Sequence, residues 1–148
     1  MAYDVISGSE FPIEIKVDTT WTAIAGIKSH SLSPSVKDVD TTTFETAGWT
    51  RSTVVSRGLE VKLSGFAWYD PTDGSKDPGQ AAVEALGVEL GTAAEGDFRI
   101  TLPGVNQALE FSAAVADVQQ FSGDTEDVSK WEATLKVQAA PAVVTVTP

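Results

Sequence analysis

The sequence contains no cysteine and a single histidine, His30. The first absence excludes a disulfide framework and any thiolate metal site, and it fits a reducing compartment. The second excludes a zinc centre, which needs several His or Cys ligands. It also leaves Ser29-His30-Ser31 with no accompanying motif for the base and orienting acid that a nucleophilic serine requires. Cations are scarce too: ten Lys and Arg stand against 21 Asp and Glu, a formal net charge of −11. Ordinary phosphate-backbone binding depends on clustered Lys and Arg, so this composition argues against a nucleic-acid binder. No apolar run approaches the roughly 20 residues of a membrane helix. The opening MAYDVISGSE lacks the basic and apolar regions of a signal peptide, so synthesis in the cytoplasm is expected.

The remaining chemistry is equally thin. No glycine-rich loop with a lysine is available for a nucleotide phosphate. Asp70, Asp73 and Asp77 invite a calcium reading, but the alternating acids and terminal bidentate Glu of a calcium loop are missing, and turn formation and helix capping account for them. A carboxylate pair such as Glu45 and Glu60 would serve a glycosidase only at a specific separation that sequence does not reveal. The expectation is a protein with no catalytic residue, no metal and no cofactor.

What the chain does hold is a hydrophobic fraction of 42% in 148 residues, enough for one domain with a real core. Its centre is the stretch from Gly58 to Gly91: RGLEVKLSGFAWY, a turn-rich DPTDGSKDPG, then QAAVEALGVELG. Leu59, Val61, Leu63 and Ala67 alternate with Glu60, Lys62, Ser64, Phe66 and Trp68, the period of a half-buried strand. Asp77, Pro78 and Gln80 form a helix start, with a cap, a first-position proline and a capping-box partner. Ala82, Val83, Leu86 and Leu90 then recur at helical spacing, with Gly87 or Gly91 as the stop, which predicts a helix near 78–90.

Elsewhere the pattern is β. Phe11 to Val17 alternates, Trp21 to Ile27 is a second apolar segment broken by Gly26, and Lys28 to Val39 carries Pro34, the mark of an edge or bulged strand. Phe98, Ile100 and Leu102 form a short strand stopped by Pro103-Gly104. Leu109, Phe111, Ala113 and Val115 lie on a longer one that runs on loosely to Phe121. Ser122 to Lys130 is an acidic loop, and Trp131, Ala133, Leu135 and Val137 complete a last strand before the tail AAPAVVTVTP. The fold class is mainly β: an antiparallel β-sandwich or partly open barrel with one short flanking α-helix. The domain spans 1–138, and 139–148 reads as a C-terminal arm or linker stub.

Asp40 to Arg57 stands apart as a long Thr- and Ser-rich stretch with Phe44 and Trp49. A loop of this length without its own structure is uncommon in a compact domain unless it works elsewhere. The two aromatics either fold back onto the core or, with Thr43 and Arg51, contact a neighbouring subunit, where Trp and Arg are enriched.

VDTTTFETAGWTR at 39–51, RGLEVKLSGFAWYD and DPGQAAVEALG, taken in this order and spacing, resemble the major tail protein family of long-tailed bacteriophages, the tail-tube proteins. WEATLKVQ, preceded by an acidic loop, fits the closing hairpin of that family. The resemblance covers about 21–139 and implies a tail-tube-like β domain assembled as hexameric rings that stack into a hollow tube. It further implies tape-measure, tail-tip and tail-terminator proteins as partners, a place in the virion tail, and DNA passing through the lumen without specific binding.

On that reading the polar faces of two strands, Glu60, Lys62 and Ser64 with Glu132, Thr134 and Lys136, are candidates to line the lumen. An excess of acid there is expected, since a duplex carries one negative charge per roughly 1.7 Å and an acidic wall would let it slide. Three alternatives remain at this level: a tube protein of a contractile injection machine, a β-sandwich recognition or adhesin module binding carbohydrate or a surface, and a small β-rich hydrolase. The last is disfavoured by the single His30.

Overall fold

The computed structural model describes residues 12–102, 105–123, 125 and 128–145. The strand start expected at Phe11, the Pro103-Gly104 stop and the loop acids Asp124, Glu126 and Asp127 lie outside them. Eight strands are formed: β1 (Ile13–Val17), β2 (Thr20–Ala23), β3 (Ile27–Asp40), β4 (Ser52–Phe66), β5 (Glu95–Leu102), β6 (Gln107–Gln119), β7 (Lys130–Val137) and β8 (Ala142–Thr145). A single α-helix among the described residues, α1 (Pro78–Leu86), sits between β4 and β5. The strands make one sheet in the order β2-β1-β5-β6-β7-β4-β3, with β8 also on β6. Every pairing is antiparallel.

Alternation accounts for the core. Ile13 and Ile15 of β1, Val61 and Leu63 of β4, Phe98 and Ile100 of β5, Phe111, Ala113 and Val115 of β6, and Trp131, Ala133 and Leu135 of β7 all join one buried cluster. Their polar neighbours in sequence face away from it. Phe98 and Phe111 are register partners on β5 and β6, and their rings stack with centroids 5.8 Å apart. β1 and β4, each one strand in from an end of the sheet, feed the same cluster, as in a partly open barrel, and Val83 of α1 is fully buried in it.

The helix is fixed by its first turn. Asp77 caps it, its carboxylate accepting from the Gln80 N–H at 3.1 Å, and Pro78 follows at the first position. The same Asp77 oxygen accepts from the Ala25 N–H at 3.1 Å. Gln80 does not close a capping box. Its side chain turns away to the β2–β3 and β4–α1 connections, accepting from the Trp68 N–H and donating to the carbonyls of Ala25 and Phe66 at 2.8 Å each. Approach this close leaves no room for side chains. A Cβ on Gly79 would collide with the backbone of Ala23, and Gly26, at φ +77°, would place one 2.5 Å from the Phe66 carbonyl oxygen. The helix ends at Leu86, short of the expected 90. Gly87 donates to Val83, and Val88 and Leu90 are exposed, so no buried face exists to extend it.

One further expectation needs correction. The stretch 40–57 is not all loop. β4 begins at Ser52 and runs 15 residues to Phe66, so the connection is only 41–51. Residues 52–59 lack clear burial alternation because both of their faces are exposed. The tail at 139–148 also contains a strand, β8, which pairs Ala142–Thr145 with Gln107–Glu110 of β6. No helix among the described residues is long and apolar enough to cross a membrane.

Candidate assembly surfaces

The β3–β4 hairpin leaves the body of the sheet. β7 pairs with β4 only from Glu60 to Phe66, whereas β3 pairs with it from Ser52 to Gly65. From Leu59 outward the hairpin is therefore a two-stranded ribbon, with Val36, Val39, Val54 and Val55 about half exposed. β3 lies at the sheet edge and carries register shifts at Ile27/Ser29 and Lys37/Asp38, so its Pro34 marks both an edge and a bulged strand.

The tip of the ribbon is a polar frame holding out two aromatics. Asp40 accepts from the Thr42 N–H at 2.8 Å, the Arg51 N–H donates to the Thr42 hydroxyl at 2.8 Å, and Thr41 donates to the Arg51 carbonyl. Hydrogen bonds from Thr42 hold the Asp40 carboxyl below its ordinary range. A 3-10 turn at Phe44–Thr46 is closed by the Thr46 hydroxyl donating to the Thr43 carbonyl at 2.7 Å, and it exits through left-handed Ala47 and Gly48. Phe44 is fully exposed and Trp49 is 79% exposed. Neither folds back onto the core. An open concavity of about 570 Å³ lies along Thr42, Thr43, Phe44, Thr46 and Gly48.

The six residues proposed for a lumen do converge. In the β4–β7 register Glu60 faces Lys136, Lys62 faces Thr134 and Ser64 faces Glu132, all on the side of the sheet opposite the core. β3 extends this face with Ser33 opposite Glu60, Ser31 opposite Lys62 and Ser29 opposite Ser64. Among the six, two carboxylates meet two ammonium groups, so the acid excess of the chain is not concentrated there. Lys62 Nζ lies 3.7 Å from Glu60.

Further along this side, Arg99 pairs with Glu14 at 3.0 Å and its guanidinium lies 4.6 Å from the Trp21 ring centroid. Trp21 and Arg99 were not singled out in the sequence. Their adjacency comes from the β1–β5 pairing of Glu14 with Arg99 and the β1–β2 pairing of Lys16 with Trp21, neither of which is a local pattern.

The acids that suggested calcium have structural work. Asp70 accepts from the Thr72 N–H, Asp73 accepts from the Ser75 N–H and hydroxyl, and Asp77 caps the helix. The Ser75 hydroxyl lowers the Asp73 carboxyl below its usual range. No group of three potential ligands converges among the described residues.

No protein-family model matches this sequence, and no curated protein matches it. Solved structures do match by shape. The tail of an empty gene transfer agent particle, refined with helical and C6 symmetry, aligns over 95% of this chain and all of its own, with a TM-score of 0.73 and 16% identity. The SPP1 tail tube aligns over 95% of this chain and 80% of its own, at 0.67 and 12%. The six-fold symmetrised baseplate of the anti-feeding prophage aligns over the whole of both chains, at 0.67 and 10%. The chain thus has the tail-tube fold.

Proposed function

We propose that this chain is a major tail-tube subunit, a structural and non-catalytic virion protein that forms hexameric rings stacked into a hollow tube through which phage DNA passes during ejection. The observation that carries the reading is the end-to-end match to a tail of C6 symmetry, which leaves neither chain with an unmatched domain. Among the described residues β2 and β3 end the sheet, and this supports it, because a ring of subunits can extend pairing across sheet ends. In this reading Thr43, Phe44, Trp49 and Arg51 contact a neighbouring subunit. Glu60, Lys62, Ser64, Glu132, Thr134 and Lys136 line the lumen, and tape-measure, tail-tip and tail-terminator proteins are the partners at the ends.

The balanced charge of that strip refines the expected passage mechanism. A cation matched by a carboxylate offers no site where a phosphate can displace counterions. Glu60 pairs with Lys62 at 3.7 Å, and with Glu132 and Lys136 the six residues sum to no net charge. The DNA slides along a wall of no net charge rather than one of uniform negative charge.

A tube of a contractile injection machine is the second reading, favoured by the likeness to the anti-feeding prophage baseplate. Electron microscopy of the purified protein, alone and with tail-tip proteins, tests both: rings or tubes are expected, and monomer under every condition overturns them.

A further inference from the structure

We propose that the aromatic tip of the β3–β4 ribbon docks on an aromatic patch at the opposite end of a second copy of this chain, formed by Trp68, Tyr69 and Phe121. This rests on the assembly reading above and names the surface that the tip meets.

The two patches bracket one strand. Phe44 and Trp49 lie just before β4, and Trp68 and Tyr69 lie just after it, so its 15 residues at roughly 3.3 Å each hold them about 50 Å apart. Phe121 belongs to the second patch through backbone pairing. The Ala67 N–H donates to the Ser129 carbonyl at 3.0 Å, and the Ser122 N–H donates to the Ser129 hydroxyl at 3.0 Å, which gathers 67–69, 121–122 and 129 at one end. Trp68, Tyr69 and Phe121 are 56%, 68% and 71% exposed. The loop beneath them is built to hold still. Tyr69 pairs with Lys76 across the 70–76 turn, Lys76 bonds Glu84 at 2.9 Å, and Gln80 holds the Trp68 N–H. Exposed aromatics gathered at both ends are an expensive arrangement to leave in water.

The area selects the occupant. Burying two aromatics at the tip and three at the base, at roughly 150–250 Å² each, removes on the order of 1,000 Å² from water. That falls short of the roughly 1,200–2,000 Å² of a stable pairwise complex. A single contact does not hold a dimer, whereas several made together around a ring reinforce one another. The patches are different surfaces, so the contact is head-to-tail, and a head-to-tail contact along the strand direction does not close. It propagates an axial stack in which each copy both donates a tip and receives one.

The absence of native cysteine makes the test direct. Thr50→Cys marks the tip and Thr72→Cys the base; both positions are exposed. With a short bismaleimide at the highest soluble concentration, an equal mixture of the two variants is expected to give crosslinked dimers. Neither variant alone should do so, and the double variant should give a ladder of longer chains. Trp49→Ala or Tyr69→Ala in the marked background should each lower the yield about tenfold, and the pair together should lower it little further.

Dimers from Thr50→Cys alone would mean tip-to-tip contact and overturn the proposal. So would an uncrosslinked mixture, including one in which microscopy shows tubes, a result that leaves the tube reading standing. A ladder without closed rings would uphold the tip-to-base contact and sink the ring.

Discussion

Trp131 donates its indole N–H to Glu84 at 3.1 Å, joining a fully buried aromatic of β7 to a nearly buried carboxylate of α1. The second Glu84 oxygen accepts from Lys76 at 2.9 Å. One acid therefore ties the helix, the last core strand and the 70–76 turn together. Glu84→Gln keeps an acceptor for the indole and should cost no more than about 1.5 kcal/mol of unfolding free energy, while Glu84→Ala strands a buried donor and should cost about 1–3 kcal/mol. Urea unfolding followed by Trp fluorescence measures both. Equal losses would remove the special role of the indole bond.

Gln80 offers a sharper chemical test, because its amide donates to two carbonyls and its oxygen accepts one N–H. Gln80→Glu replaces the two donors with a carboxylate oxygen aimed at carbonyl oxygens. Its folded-state pKa is then raised, so the protonated variant is the more stable one, and stability is lost as pH rises through that pKa. Thermal melts of the variant should fall between mildly acidic and neutral pH while those of the parent change little. Parallel pH profiles would refute it.

Asp40 titrates in the other sense. Its folded pKa is lowered by the hydrogen bonds of Thr42, so the turn it holds is intact above the ordinary carboxylate value of 3.8 and released as pH falls through the lower folded value. The Thr42 amide proton in an NMR titration should report a midpoint below 3.8. A midpoint at or above it would mean that the bond is not formed in solution.

Trp49 and Trp131 should separate assembly from folding. Trp131→Ala empties a fully buried site and should cost roughly 3–5 kcal/mol of stability. Trp49→Ala should leave the monomer's unfolding free energy within about 0.5 kcal/mol of the parent, yet abolish tubes. A large loss of monomer stability from Trp49→Ala would return that residue to the core.

The charge-matched strip predicts no retention of duplex DNA by the protein in a gel-shift titration, even at low salt. Glu60→Gln in assembled tubes should introduce weak, salt-sensitive retention, since it frees Lys62 and leaves each strip with one net positive charge. Tight, salt-steep binding by the parent protein would sink the sliding mechanism.

The strands that face the core could be read from the sequence because burial on one side imposes a period of two, as in Val61-Lys62-Leu63 and Trp131-Glu132-Ala133-Thr134-Leu135. The same pattern brought Glu60 and Glu132 to one face before their register was known. The outer half of β4 was not legible, because Ser52 to Gly58 has no buried side to impose a period, and Thr and Ser there read as loop. Gln80 was placed at the helix start correctly but given the wrong partners, since its bonds to Ala25 and Phe66 are long-range. β8 was missed because Val143-Val144 is too short a run to distinguish from a tail until β6 stands beside it.

The ribbon also bears on how growth would be controlled. An isolated two-stranded hairpin is marginally stable in water, and outward from Leu59 this one has only its own ladder among the described residues. Amides of 35–40 and 52–59 should therefore exchange with solvent far faster than those of β6 in the free monomer. Part of the free energy gained when a neighbour receives the tip is then spent on ordering the ribbon, so the affinity of the free subunit for another is weaker than the contact alone would give. If the tip docks as proposed, a subunit of this design would stay dispersed until it meets the end of a stack that presents several acceptors together, and elongation would be favoured over spontaneous nucleation.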